Sequence, residues 1–229
     1  MLYRDRRHAG QELAARLRDL KGQRDLLVLG VPRGGVVVAH PIALALGAPL
    51  DVYLAHKLGA PGNPELAIGA ISADGQILVD EPLARAVGAD KDYLEAEVAR
   101  QKREMARRLA RYRGTMPTPT IREKTVILVD DGAATGATLL AAATALRLSG
   151  PRMLIVAVPV ASDEAAGKLS AEADRFVCPL IPDFFWAVGA FYQDFDQTTD
   201  EEVIRLLHDP ALPRSSAAGR EGSSAPNSA

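Results

Sequence analysis

Two adjacent carboxylates, Asp130 and Asp131, follow the apolar run Thr125-Val126-Ile127-Leu128-Val129. After them come Gly132, Ala133, Ala134, Thr135, Gly136, Ala137 and Thr138, and then a helical pattern. Each part of this stretch has a chemical use. Parallel sheets bind ligands beyond the carboxyl ends of their strands. Small residues let a backbone approach a phosphate closely. Amides at a helix start point at an anion, and the helix dipole adds about half a positive charge there. Thr135 and Thr138 add hydroxyl donors. The aspartates repel phosphate but accept hydrogen bonds from vicinal hydroxyls, each worth about 1.5–3 kcal/mol because the acceptor is charged. A ligand with a phosphate at one end and a diol at the other suits both halves, and ribose 5-phosphate is such a ligand. An Asp-Asp-Gly turn before an ordinary helix start is the plainer account. The complete unit of strand, acid pair, small loop and helix favours the ligand.

A second candidate is Val31-Pro32-Arg33-Gly34-Gly35, after the apolar run 26–31. Two glycines after an arginine give exposed amides beside a cation, which suits an oxyanion. An ordinary strand-to-helix turn has the same composition. Lys57 follows DVYLAH (51–56) and is either an anion ligand or a solvated lysine.

The elements that must hold these residues alternate between apolar runs and helical patterns. That order predicts an α/β protein with a parallel sheet and helices on both faces. Residues 5–21 read as an amphipathic helix, since Leu13, Leu17 and Leu20 share one face. LLVLGV (26–31), DVYLAH (51–56), TVILVD (125–130), RMLIVAVPV (152–160) and ADRFVCPLI (173–181) read as strands. LAIGAIS and QILVD flank Ala73-Asp74-Gly75 as a hairpin. Pro41 interrupts the helix expected over 35–47, which is therefore kinked or starts late. Ser162 and Thr199 are helix caps, and the last helix ends near His208. The tail 209–229 is rich in Pro, Ser, Ala and Gly and is expected to be disordered.

Bulk properties exclude some classes. The 229 residues carry a net charge of -2, so there is no global basic field for nucleic acid. The helical pattern at 91–113 holds seven basic residues from Arg100 to Arg113, but Glu95, Glu97 and Glu104 partly balance it and aromatics are not interleaved for base stacking. A solvated face is the better account, and nucleic acid is not an expected partner. No apolar run reaches membrane-spanning length, the N-terminus lacks a signal-like apolar region, and Cys178 is the sole cysteine. A soluble cytoplasmic protein is expected. A Gly-Lys-Ser/Thr phosphate loop and a GxGxxG fingerprint are both missing. A phospho-acceptor signalling domain would place its acid pair after the first strand, whereas this pair follows a mid-chain strand.

VILVDDGAATGAT (126–138) resembles the signature of the type I phosphoribosyltransferases, which bind 5-phosphoribosyl 1-pyrophosphate (PRPP). The resemblance implies one domain over 1–208, with a flap insertion at about 58–124 and a small C-terminal hood at about 178–198. It implies transfer of 5-phosphoribosyl to a nitrogen nucleophile, a nucleobase by preference, with release of pyrophosphate. PRPP is then the co-substrate, with Mg2+ chelated by it. Asp130 and Asp131 would hold the ribose, while Arg33, Gly34, Gly35 and Lys57 would hold the pyrophosphate. Gly132 to Thr138 would cradle the 5-phosphate. Gly59 to Pro64 looks flexible, and the Ala73-Asp74-Gly75 hairpin is the candidate flap. In IPDFFWAVGAFYQDF (181–195), similarity to the oxopurine branch puts Phe185, or Trp186 or Phe184 in its stead, against the base and Asp194 near the metal with Asp130. Ala134 stands where that branch carries a proton-accepting acid, so the acceptor base stays open. Relatives that sense PRPP with little catalysis give the alternative function, and the resemblance suggests a homodimer.

Overall fold

The computed structural model describes residues 2–214. In chain order its elements are α1 (Arg6–Arg16), β1 (Leu26–Gly30), α2 (Gly34–Leu46), β2 (Leu50–Val52), β3 (Ala55–Ala60), β4 (Asn63–Ser72) and β5 (Ile77–Val79). Then follow α3 (Glu81–Ala86), α4 (Lys91–Arg113), β6 (Thr125–Val129), α5 (Ala137–Leu148), β7 (Met153–Ala157), α6 (Asp163–Glu172), β8 (Arg175–Val177) and α7 (Asp200–Leu207). Five strands form a parallel sheet in the order β2-β1-β6-β7-β8. Every residue of β1 and β6 is buried, which explains runs without polar alternation. Val28, Ile127 and Ile155 pack on one face with Leu13, Val38 and Ile42. Leu29, Leu128 and Val156 pack on the other with Leu139, Ala143 and Leu169. Each such side chain, fully buried, contributes about 1.5–3 kcal/mol.

The chain leaves β1 for β2 on one side, and leaves β6 for β7 and β8 on the other. The strand order therefore reverses between β1 and β6, where open α/β sheets form a ligand crevice. Leu26 pairs with Thr125 and Gly30 with Val129, so both strands end level. The loops carrying Arg33 and Asp130 emerge side by side.

Several local expectations are corrected. The strand expected at 51–56 divides after Val52: β2 stays in the parallel sheet, and β3 starts an antiparallel sheet with β4 and β5. Tyr53 N–H still donates to Gly30 O at 3.0 Å, whereas Leu54 O already accepts from Ala73 at 2.9 Å in the hairpin. Lys57 thus pairs with Ala70 inside β3 instead of ending a core strand. The stretch 59–64, expected to be flexible, is the β3–β4 hairpin, with Gly62 supplying its left-handed residue at φ 71°. The hairpin at Ala73-Asp74-Gly75 is present, with Ile71 opposite Ile77. Its tip is tied down, because Asp74 accepts from Tyr53, Ser72 and Ser149 at the end of α5. The strand expected at 173–181 shortens to Arg175–Val177.

Helix α2 runs from Gly34 straight through Pro41, so a late start is ruled out. α1 lies against that point: a Cβ on Gly10 would overlap the Val38 carbonyl and the Pro41 ring. Ser162 and Thr199 cap α6 and α7, accepting from Ala165 and Glu202 at 3.1 Å each. Residues 209–214 do not begin a disordered tail: Asp209 meets His40 at 2.8 Å and Leu212 is buried in the core. The remainder of the expected tail, 215–229, lies outside the described residues. No described helix is long and apolar enough to cross a membrane.

Candidate active site

Above the switch point is a cleft of about 320 Å³ lined by Pro32, Arg33, Gly34, Asp130, Asp131 and Thr138, with Arg6, Gln197 and Thr198 on its rim. Val31 N–H donates to Val129 O at 2.9 Å and couples the two loops. The expected acid pair and the expected arginine therefore share one opening.

The carboxylates differ in surroundings. Asp131 Oδ2 accepts from Arg6 Nε at 2.7 Å. Arg6 also donates through Nη1 to Asp196 O at 2.8 Å and lies 3.7 Å above the Phe195 ring. Tyr192 Oη donates to Asp131 O at 2.7 Å. Asp130 Oδ1 accepts from Asp131 N–H at 2.9 Å. Removal from water pushes the Asp130 carboxyl well above the usual carboxylate range, and the charge of Asp131 pushes it further.

The glycines of both loops serve the fold as well as any ligand. A Cβ on Gly34 would collide with the Asp131 carboxylate. One on Gly35 would stand 2.6 Å from Val129 O, and one on Gly132 would stand 2.5 Å from the Val188 side chain. Ala133 is part of the frame, since its N–H donates to Val160 O and its O accepts from Ser162 N, both at 2.9 Å. Ser162 Oγ donates to Ala134 O at 2.6 Å. Gly136 takes the left-handed conformation at φ 70° and starts α5. Ala137 N–H leans on Thr135 Oγ1 at 3.3 Å. The amides of Ala134, Thr135, Gly136, Thr138 and Leu139 have no acceptor among the described residues. They form a rim of unsatisfied donors at a helix start.

Arg33 has no carboxylate partner among the described residues, and its peptide bond to Pro32 is cis. Lys57 is elsewhere: its Nζ bonds Glu65 at 2.7 Å. It lines a cavity of about 970 Å³ between β3, β4, α4 and α5, which meets the cleft at Thr138. The aromatic run does not line the cleft. Phe184 and Trp186 are 81% and 88% exposed, and Phe185 packs on Phe191 with ring centres 5.4 Å apart. Asp194 is also outside the cleft: its N–H donates to Arg4 O at 2.9 Å and its Oδ1 accepts from Asp196 N at 3.1 Å. Among the described residues no group of three or more His, Cys, Asp or Glu is placed to hold a metal.

Sequence reasoning missed Arg6, Tyr192, Gln197 and Thr198. They come from the two ends of the described chain, which meet where Tyr3 N–H donates to Phe191 O and Gln193 N–H to Tyr3 O, both at 2.8 Å. Burial pushes the Tyr3 phenol up to about 12, and its hydroxyl donates to Pro159 O at 2.8 Å. Nothing in the sequence singles out Arg6 from neighbouring Arg4 and Arg7.

Comparison with known proteins places the chain in a family. The phosphoribosyl transferase domain model matches residues 4–196. Two Mycobacterium tuberculosis proteins, provisionally named phosphoribosyl transferases, are each 41% identical over 206 residues, 90% of this chain. The chain spans about half the length of these curated relatives, 46%. The crystal structure of TT1426 from Thermus thermophilus is 48% identical with a TM-score of 0.82, covering 90% of this chain and 98% of that one. The acid pair, the small loop and Arg33 all fall within the matched residues, and the chain belongs to the phosphoribosyl transferase domain family.

Proposed function

We propose that this protein binds PRPP in the cleft at the switch point and transfers its 5-phosphoribosyl group to a nitrogen nucleophile. The observation that carries this reading is convergence: an acid pair and, without partners among the described residues, a rim of helix-start amides and an arginine open onto one cleft. The 5-phosphate lies on the amides of Thr135, Gly136, Thr138 and Leu139 and the hydroxyls of Thr135 and Thr138. The ribose diol donates to Asp130 and Asp131. The pyrophosphate lies by Arg33, with Gly34 and Gly35 keeping that loop close to the acid pair. Lys57, held by Glu65 across the neighbouring cavity, has a lesser part.

In the reaction the bond from C1 to the pyrophosphate oxygen breaks and a C1–N bond forms, while the nucleophile's proton passes to water or to the departing pyrophosphate. C1 gains positive character, and the carboxylates supply negative potential beside it. Arg33 stabilises the charge on the departing pyrophosphate. Asp130 and Asp131 suit Mg2+ only as partial ligands, because the ion needs about six oxygens and the rest must come from substrate and water. When bound, it neutralises charge on the leaving pyrophosphate. Arg6 keeps Asp131 aimed into the cleft. Ala134 offers no proton acceptor, so the nucleophile is a base that gives up its proton without one at that position. The same alanine favours, as a second reading, a PRPP sensor with little turnover.

PRPP with Mg2+ is expected to raise the melting temperature, since a ligand at a hundred times its Kd adds about 2.7 kcal/mol to the native state. Asp131→Ala is expected to abolish that rise. No rise for the wild type at millimolar PRPP refutes the reading. Incubating pyrophosphate with a panel of nucleoside monophosphates and assaying for PRPP then names the base, or by giving no turnover selects the sensor.

A further inference from the structure

Arg33 has a second side. Away from the acid pair it closes another hollow, of about 290 Å³, whose other walls are Glu104, Arg107, Arg108, Arg111, Tyr112 and Asp200. Four guanidinium groups face two carboxylates there. Arg107 is paired to Glu104 at 3.0 Å, and Arg111 to Asp200 at 2.6 Å. Arg33 and Arg108 have no carboxylate within 4.0 Å among the described residues. Arg108 instead leans on Tyr112, 3.4 Å from its hydroxyl and 5.9 Å from its ring centre. A solvated helix face turns its cations to bulk water. Here two unneutralised cations border one concavity, and one of them also borders the active cleft. With two carboxylates set against four guanidinium groups, the hollow keeps an excess of positive charge, which attracts anions.

We infer that this hollow is a second anion subsite, joined to the pyrophosphate position through Arg33. Its ligand is a linear oligophosphate one phosphoryl group longer than pyrophosphate. Two of its groups lie by Arg33 in the cleft, and the third lies between Arg33 and Arg108. The inference rests on the proposed placing of pyrophosphate beside Arg33. It gives α4 a use that the phosphoribosyl reaction leaves unassigned: an oligophosphate held this way occupies the cleft and excludes PRPP.

The test is calorimetric titration of the full chain with sodium pyrophosphate and, separately, sodium tripolyphosphate. Wild-type protein is expected to bind tripolyphosphate about tenfold more tightly, the gain from one added charge-assisted hydrogen bond. Arg108→Gln should bring the two affinities together while leaving pyrophosphate unchanged. Arg103→Gln removes an equal charge from the exposed side of α4 and should keep the tenfold ratio, which separates the subsite from the general attraction of a more highly charged anion. Equal wild-type affinities, or a ratio that falls equally in both variants, overturn the subsite. PRPP titration keeps the two readings apart. PRPP binding with no preference for tripolyphosphate removes the subsite alone. Failure of PRPP and pyrophosphate together removes the proposed function and the subsite with it.

Discussion

Two guanidinium–carboxylate pairs of similar seclusion do different work in this molecule. In Arg113–Asp51 the side chains are 13% and 3% exposed; in Arg6–Asp131 they are 12% and 18% exposed. Arg113 joins the end of α4 to β2. Asp51 Oδ1 accepts from Arg113 Nε at 2.9 Å and from Val52 N at 2.7 Å, and Arg113 reaches on to Val52 O and Thr118. Burial still pushes the Asp51 carboxyl above its ordinary range, ahead of the opposing pull of Arg113. This pair is a brace, and its attraction only partly offsets the cost of desolvation. Arg6–Asp131 stands at the edge of an open cleft, next to a second carboxylate. Seclusion of an ion pair is therefore a poor guide to function. What marks the site is charge left over: Asp130 has no cation of its own within bonding distance among the described residues, and Arg33 has no anion.

The sharpest way to break this comparison is to remove the cation from each pair. Arg113→Ala leaves Asp51 buried without a cation and is expected to cost about 3–5 kcal/mol in denaturant unfolding. The PRPP-induced stabilisation, measured where the variant is still folded, should persist. Arg6→Ala is expected to cost less, about 1–3 kcal/mol, because water from the cleft can reach Asp131. Its larger effect should fall on the ligand: the PRPP-induced rise in melting temperature shrinks, as Asp131 loses its aim. Equal stability losses in the two variants, with PRPP binding intact in both, would show that Arg6–Asp131 is also only a brace.

The legible part of the fold was the part written locally. TVILVDDGAATGAT carries a strand, an acid pair and a helix start within one short stretch, so sequence order alone conveys its geometry. The parallel sheet was legible for a similar reason, because strands buried on both faces must be apolar throughout. Arg6 was not, since its contact with Asp131 spans 125 residues and its neighbours have the same chemistry. The division of DVYLAH depends on which partner each half finds, β1 for Leu50–Val52 and β4 for Ala55–Ala60. Composition made the run 181–195 look like a base platform, yet Trp186 faces solvent and Phe195 lies under Arg6. Leu212 misled because a single apolar residue in a Pro-rich stretch gives no periodicity, although the core has a place for it.

The smallest expected effect concerns the leftover charge itself. Asp130 is a group the fold tolerates poorly in its charged form, being drawn from water beside another carboxylate. Its folded pKa is raised well above the ordinary value of 3.8. Its favourable contribution is therefore fully present below that ordinary value, where it is protonated in both states, and is lost progressively as pH rises through the folded pKa. The ionised form opposes folding, because it is drawn from water beside another carboxylate. Asp130→Asn keeps the shape and removes the charge. It should stabilise the unliganded protein by about 1 kcal/mol at neutral pH, the lower end of what an unsatisfied buried polar group costs. The gain should fade as the pH is lowered through the raised folded pKa, where wild-type Asp130 takes up a proton and comes to resemble the amide, and should be gone in the ordinary carboxylate range. The same variant should lose most of its PRPP-induced stabilisation, because an amide accepts from the diol more weakly than a carboxylate does. Stability and ligand binding would then move in opposite directions at Asp130. At Asp51 only stability would move, because Asp51→Asn gives up the ion pair to Arg113 and touches no ligand. A stability loss for Asp130→Asn at neutral pH would mean that Arg6 neutralises both carboxylates, and that the acid pair is as fully braced as Asp51.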